Sequence, residues 1–205
     1  MITRRVCPPA LMGARRGLRV PRFRCLYCDH CCFFGSKVEM PTVFPWEKRL
    51  LEEIGEERGI TLSFEPLQVF RDGEGRCVVT LYRWIIDGYC PFYDKGAKRC
   101  SIHDRKPLAC KVYPLLVEMP TRRLLLSGKC DWVKRQGRRL VALLEARPDL
   151  IPRVFPSEFE ATRDILVEFS SMLRFIEEKG LRRVKDLEEC SSGVYDVDDY
   201  IARFG

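Results

Sequence analysis

Phe23-Arg24-Cys25-Leu26-Tyr27-Cys28-Asp29-His30-Cys31-Cys32-Phe33 opens the cysteine-rich part of the chain; Cys90-Pro91-Phe92, Cys100-Ser101-Ile102 and Lys106-Pro107-Leu108-Ala109-Cys110-Lys111-Val112-Tyr113-Pro114 continue it. Thiolates are soft, anionic donors that suit zinc or iron–sulfur iron, and a two-residue gap lets successive sulfurs turn toward one ion or cluster. The run C-x2-C-x2-C-C followed by three spaced cysteines therefore predicts a metal centre that staples irregular loops. Its expected ligands are Cys25, Cys28, Cys31, Cys32, Cys90, Cys100 and Cys110, with Cys130 in Gly128-Lys129-Cys130-Asp131 as an eighth. Eight thiols suffice for two four-thiolate centres, or for one centre with thiols to spare. Neighbouring side chains diverge in extended backbone, so either Cys31 or Cys32 is expected to serve a second centre or to remain a redox-active or packing thiol. Cys7, Cys77 and Cys190 stand outside the pattern and read as buried small hydrophobes.

With 205 residues the chain can form one sizeable core, or a core with a helical appendage. Its 11 cysteines would suit a secreted disulfide scaffold, but arginines break the first twenty residues and leave no apolar signal region. A reduced, cytoplasmic home is the simpler expectation, and the odd cysteine count agrees with it. No stretch approaches the length of apolar residues that a membrane helix needs, so a soluble protein with no membrane partner is expected.

The formal charge of +7 is unevenly placed, because Arg4, Arg5, Arg15, Arg16, Arg19, Arg22 and Arg24 all precede the first acidic residue, Asp29. Such a basic arm, residues 1–20, could meet nucleic acid phosphates or an acidic partner. A solvated tail is the favoured reading, since no aromatic-interleaved basic stripe follows. An organelle-targeting segment, or a true start at Met12, are the other readings.

Pro45-Trp46-Glu47 opens a helix with Trp46, Leu50, Leu51 and Ile54 at helical spacing, ending at Gly59. Thr61–Phe70 and Arg76–Ile86 flank the turn Asp72-Gly73-Glu74-Gly75 and read as a hairpin that delivers Cys90 from a sheet edge. Residues 90–114 read as a metal-stapled loop with one helical turn between Asp104 and Cys110. Thr121–Ser127 is a candidate third strand. Asp131 would cap a helix with Val133, Gln136, Leu140, Val141 and Leu144 on one face. Ser157–Lys179 is the clearest helix, with Ser157 and Glu160 in a capping-box pattern. Its apolar stripe of Ile165, Leu166, Phe169, Met172, Leu173 and Ile176 is expected to pack on the cysteine domain. A shorter helix over Leu181–Glu189 and an acidic tail at Asp196, Asp198 and Asp199 finish the chain. The expected architecture is an α+β domain over residues 21–150, with a small antiparallel sheet, metal-stapled loops and a packed C-terminal helical segment, 151–205.

Cys25-x2-Cys28-x2-Cys31-Cys32, Cys90-Pro91-Phe92 and Cys100-Ser101-Ile102-x3-Lys106-Pro107-x2-Cys110-Lys111-x-Tyr113-Pro114 together resemble the YkgJ-type cysteine-cluster family of zinc- or iron-chelating proteins, over residues 21–131. The resemblance implies that the cysteines hold a metal centre. His30 stands where that family commonly has glycine, His103 where tyrosine is usual, and Lys106 and Lys111 where arginine is typical; lysine keeps the charge but not the planar fork of guanidinium. Larger relatives, such as flagellin lysine methylases, carry a similar cysteine domain, yet no glycine-rich loop after a strand argues for a nucleotide or S-adenosylmethionine pocket here.

Three cysteines at two-residue gaps with a distant Cys-Pro favour an iron–sulfur cluster, with zinc as the alternative occupant. An iron–sulfur centre implies electron transfer or redox sensing with a redox protein partner, Cys32 serving as an optional exchangeable thiol. Zinc implies a stapled binding module whose basic arm contacts nucleic acid or an acidic protein. His30 and His103 read as neighbours of the ligands that orient or pack rather than ligate. Asp29, Asp94, Asp104 and Tyr113 lie near the thiols in sequence and read as loop caps or exposed groups. No Ser-His-Asp order, phosphate loop or paired-histidine metalloprotease helix appears, so no catalytic residue is assigned.

Overall fold

The structure, a computed structural model, describes residues 4–6, 20–119 and 121–205. The principal elements, in chain order, are β1 (Arg4–Val6), α1 (Pro45–Glu57), β2 (Ser63–Arg71), β3 (Cys77–Ile85), β4 (Leu115–Glu118), β5 (Arg123–Leu126), α2 (Asp131–Ala146), α3 (Pro156–Glu178), β6 (Val194–Asp196) and α4 (Val197–Phe204). Helices and short, mainly antiparallel sheets give the α+β class expected from the sequence. The chain divides into two compact units that interleave along it, one of residues up to Phe33 with Phe92–Leu166, the other of Phe34–Pro91 with Val167–Gly205. The sequence reading had placed its divisions at residues 20 and 150.

The first unit, called the thiol unit below, contains the sheet β1–β5–β4, antiparallel throughout. Part of the expected basic tail is thus strand: Arg4, Arg5 and Val6 lie opposite Leu126, Leu125 and Leu124. The rest of the expected arm up to Arg19, with Cys7 and the alternative start Met12, lies outside the described residues. Tyr93–Asp94 and Arg99–Cys100 form a small antiparallel hairpin, with Tyr93 opposite Cys100. Asp94 caps its turn by accepting the Ala97 amide at 2.8 Å, the loop role expected of it.

Trp132 at the start of α2 packs edge-on against Phe23 at 5.2 Å between ring centres and against Phe155 at 5.6 Å. The Phe23 amide donates to the Val154 carbonyl at 2.7 Å, tying the segment just before the first cysteine onto this aromatic cluster. Such edge-to-face contacts add about 1 kcal/mol beyond their area burial. Leu140 and Leu144 are buried, as their helical spacing predicts. Gly137 breaks the regular helix, with φ +67° and ψ −168°. A Cβ there would meet nothing within 4 Å, so the position asks for glycine through its backbone angle rather than for want of room.

The second unit, the sheet unit, is built on the hairpin β2–β3, as the turn composition at Asp72–Gly75 predicts. The strand order is Arg182–Arg183, β2, β3, β6, with Thr42–Val43 also paired to β3; β6 runs parallel to β3 and the other pairs are antiparallel. Register shifts follow Pro66, whose missing N–H cannot complete the ladder. Val78, Leu181, Val197 and Tyr200 form a core joined by Phe70, Met172, Phe175 and Ile176. The stretch from Leu181 to Asp199, expected as a short helix and an acidic tail, instead carries two short strands, a 3-10 turn at Leu187–Glu189 and the start of α4. Their hydrogen bonds come from neighbouring strands, which local sequence does not reveal.

In α1 the burial pattern differs from expectation at its first turn. Trp46 is 37% exposed, whereas Glu47 is 1% exposed and accepts the Phe44 amide at 2.9 Å, capping the helix from its own N3 position. Satisfying an orphan donor at the helix start is what allows this carboxylate to be buried. No helix among the described residues is long and apolar enough to cross a membrane.

Candidate metal centre

Cys25, Cys28, Cys31, Cys32, Cys100, Cys110 and Cys130 belong to the thiol unit, and Cys90 falls in the sheet unit near its end at Pro91. All eight are thiols, with Cys25 exposed, Cys130 buried and the other six half-buried. The first four ride on an irregular segment. Tyr27 adopts a left-handed φ of +55°, uncommon for a residue with a side chain. The Tyr27 amide points to the Cys25 sulfur at 3.3 Å, and the Cys32 amide closes a turn onto the Asp29 carbonyl at 2.8 Å. That turn overrides the divergence expected of adjacent side chains in extended backbone: the Cys31 and Cys32 sulfurs lie 3.8 Å apart.

Cys130 comes from the unit's second segment, at the N-cap of α2. The amides of Trp132 and Val133 favour its thiolate, although no cap hydrogen bond is fully formed. Burial outweighs them and raises the thiol's pKa, and the charges of Cys28 and Cys31 raise it further. The same pattern governs the others. Cys31 is pushed well up by its contact with Cys32 and then by burial, against the nearby ammonium of Lys106. Cys25 is raised by burial first, then by Cys31 and Cys28, and eased by the Tyr27 amide and Lys106. Cys25 and Cys130 are thus each coupled to Cys28 and Cys31, and Cys31 to Cys32.

Two tyrosines connect the remaining segments to this field. Tyr93, directly across the hairpin from Cys100, is raised by burial and by the charges of Asp29, Cys32, Cys28 and Cys31. Tyr113 lies just beyond the short helical turn Leu108–Lys111 that carries Cys110; burial raises it, as do Cys130, Cys31 and Cys28, while the Ser127 hydroxyl donates to its oxygen at 3.1 Å. The sequence brought Tyr113 to attention through its Tyr-Pro signature, but Tyr93 carried no signal beyond being an aromatic residue in a turn.

His30 meets two carboxylates. Its Nε2 lies 3.2 Å from Asp131 and its Nδ1 3.6 Å from Asp29, so it spans the first cysteine segment and the start of α2. His103 sits in the 3-10 turn His103–Arg105, its pKa lowered by burial and then by Lys106.

Among the described residues, no three His, Cys, Asp or Glu side chains are set in metal-holding geometry. Cys31 and Cys32 have their sulfurs 3.8 Å apart, and Cys25 and Cys130 each feel the charges of Cys28 and Cys31. The chemistry of the donor set nevertheless fits a thiophilic cation. Several partly desolvated thiols that raise one another's pKa cannot all ionise alone, and a multivalent cation among them reverses that balance by binding the thiolates directly. A family model described as "putative zinc- or iron-chelating domain", with the CxxCxxCC signature, matches residues 24–136. No curated protein matches the chain, and no solved structure does.

Proposed function

Because the chain belongs to the CxxCxxCC family of zinc- or iron-chelating domains, we propose that its thiol unit holds an iron–sulfur cluster and that the protein exchanges electrons with a redox partner. The observation that carries the reading is the mutual electrostatic coupling of Cys25, Cys28, Cys31 and Cys130, which sets four soft donors from two distant segments in one field. Cys25, Cys28, Cys31 and Cys130 are the proposed ligands, with Cys32, Cys100 and Cys110 of the same unit as further donors or spare thiols. When bound, an iron–sulfur cluster supplies one-electron transfer, at a potential set by its surroundings.

The chain's own residues would tune such a centre. Lys106 offsets the negative charge that thiolates bring, the Tyr27 amide bonds the Cys25 sulfur, and the α2 amides favour the thiolate of Cys130. Phe23, two residues before Cys25, packs on Trp132 and Phe155 and so anchors the start of that segment. Zinc is the alternative occupant, because four thiolates suit it equally well, and it would make the unit a stapled binding module.

Metal and acid-labile sulfide analysis of anaerobically purified protein tests the proposal. Iron with sulfide and a visible charge-transfer band is the expected result. Stoichiometric zinc in colourless protein would replace the redox reading with the structural one, and absence of both metals would overturn each.

A further inference from the structure

Cys77 and Cys190, read from sequence as separate packing residues, are joined in a disulfide within the sheet unit, their Cα atoms 5.4 Å apart across a sequence separation of 113. We infer that this pair is a reversible thiol–disulfide exchange site for small thiols, attacked at Cys190 and independent of the metal centre. The two sulfurs are unequally placed. Cys77 begins β3 and is 0% exposed, its amide bonded to the Gly193 carbonyl at 2.9 Å. Cys190 is half-buried, on the surface connection between the Leu187–Glu189 turn and β6. Exchange requires a thiolate to reach one sulfur while the other leaves, and this asymmetry assigns Cys190 as the sulfur attacked and Cys77 as the leaving group.

The step balances with a monothiol as the named reductant. Its thiolate forms an S–S bond to Cys190 as the Cys190–Cys77 bond breaks, and Cys77 departs with the electron pair and takes a proton. A second thiol then attacks the mixed disulfide, leaving Cys190 reduced and releasing the oxidised small disulfide. Two electrons pass to the protein, and the small disulfide can return them by the reverse path.

Reversibility follows from what remains in place when the bond opens. The Ser192 amide donates to the Gly75 carbonyl at 3.0 Å, the Ser192 hydroxyl to the Glu74 carbonyl at 2.8 Å, and β6 stays paired along β3 from Val194 opposite Cys77. The Ser191–Ser192 segment also lies close over the hairpin turn: a Cβ built on Gly75, whose φ is +84°, would collide with the Ser191 hydroxyl oxygen. The two cysteines are thus held as neighbours by contacts that do not involve sulfur, which favours re-formation.

Native full-length protein, alkylated without reductant and then digested, is expected to yield the Cys77 and Cys190 peptides linked; recovery of both in alkylated form would overturn the inference. Brief treatment with cysteamine before alkylation is expected to place the mixed disulfide on Cys190 and the alkyl group on Cys77 after denaturation. An adduct on Cys77 with Cys190 alkylated would refute the assigned direction. Because both readouts come from wild-type protein and from peptides outside the metal-candidate set, they do not depend on metal content or on whether a variant folds.

Discussion

In the thiol unit, cysteines from separate segments sit within one another's charge and stay as thiols; in the sheet unit, two cysteines far apart in sequence close a bond. The first arrangement favours a cation, since burial and neighbouring charge raise the Cys25, Cys31 and Cys130 thiols and a bound cation would reverse that balance. The second satisfies its sulfurs without any partner and ties the last part of the chain to the central strand. The difference teaches that cysteine chemistry here follows local architecture: short-gap irregular turns gather donors, while a strand end beside a docked loop pairs them.

The comparison is broken most forcefully by removing metal. Chelation is expected to cost the thiol unit several kcal/mol, on the order of 5, because metal-binding free energy is folding free energy where loops have little core. Hydrogen exchange in peptides over residues 20–33 and 92–119 should then accelerate, and a larger acceleration over 63–85 would break the assignment. Leu144→Ala, in the core of the same unit at 0% exposure, is expected to cost about 2–5 kcal/mol in urea unfolding. Reduction of the Cys77–Cys190 bond should cost about 2–4 kcal/mol, seen as a lower urea midpoint for the sheet unit, because its loop closure is long. An unchanged midpoint would mean the bond adds nothing to the packing around it.

Asp72 offers a sharper probe of the sheet unit. Burial raises its pKa, but hydrogen bonds from Arg76 and Tyr200 and from the Arg76 and Glu74 amides outweigh this and bring it from 3.8 down to about 2. Because the folded value is the lower one, its contribution is fully present above the unfolded pKa and is lost as pH falls from near 4 through about 2. Asp72→Asn is expected to cost about 1–2 kcal/mol at pH 6 and progressively less toward pH 2; urea curves at pH 6 and pH 2.5 measure this, and an equal cost at both would refute it. Gly137→Ala should cost about 1–3 kcal/mol in thermal unfolding, since the space at its Cβ is open and only a backbone conformation essentially reserved to glycine opposes it.

The two regions also differ in how far the sequence disclosed them. Two-residue gaps are local, so the Cys25–Cys32 run with the Cys100 and Cys110 windows made the family legible, and the turn composition of Asp72–Gly75 made its hairpin legible. The Cys77–Cys190 bond was illegible because no spacing rule links residues so far apart, and each cysteine alone resembles a buried hydrophobe. The strands Arg182–Arg183 and Val194–Asp196 were missed because their hydrogen-bond partners, β2 and β3, lie far back in the chain. Glu47 defied its charge through a capping bond that polarity alone does not signal.

Metal content per polypeptide, compared among Cys28→Ser, Cys130→Ser and Cys190→Ser proteins, tests the central claim most directly. The structure predicts that the first two lose most of the metal that the wild-type protein carries, while the third retains it. Full retention in both Cys28→Ser and Cys130→Ser proteins would contradict the claim that the thiol unit's gathered sulfurs form the metal centre.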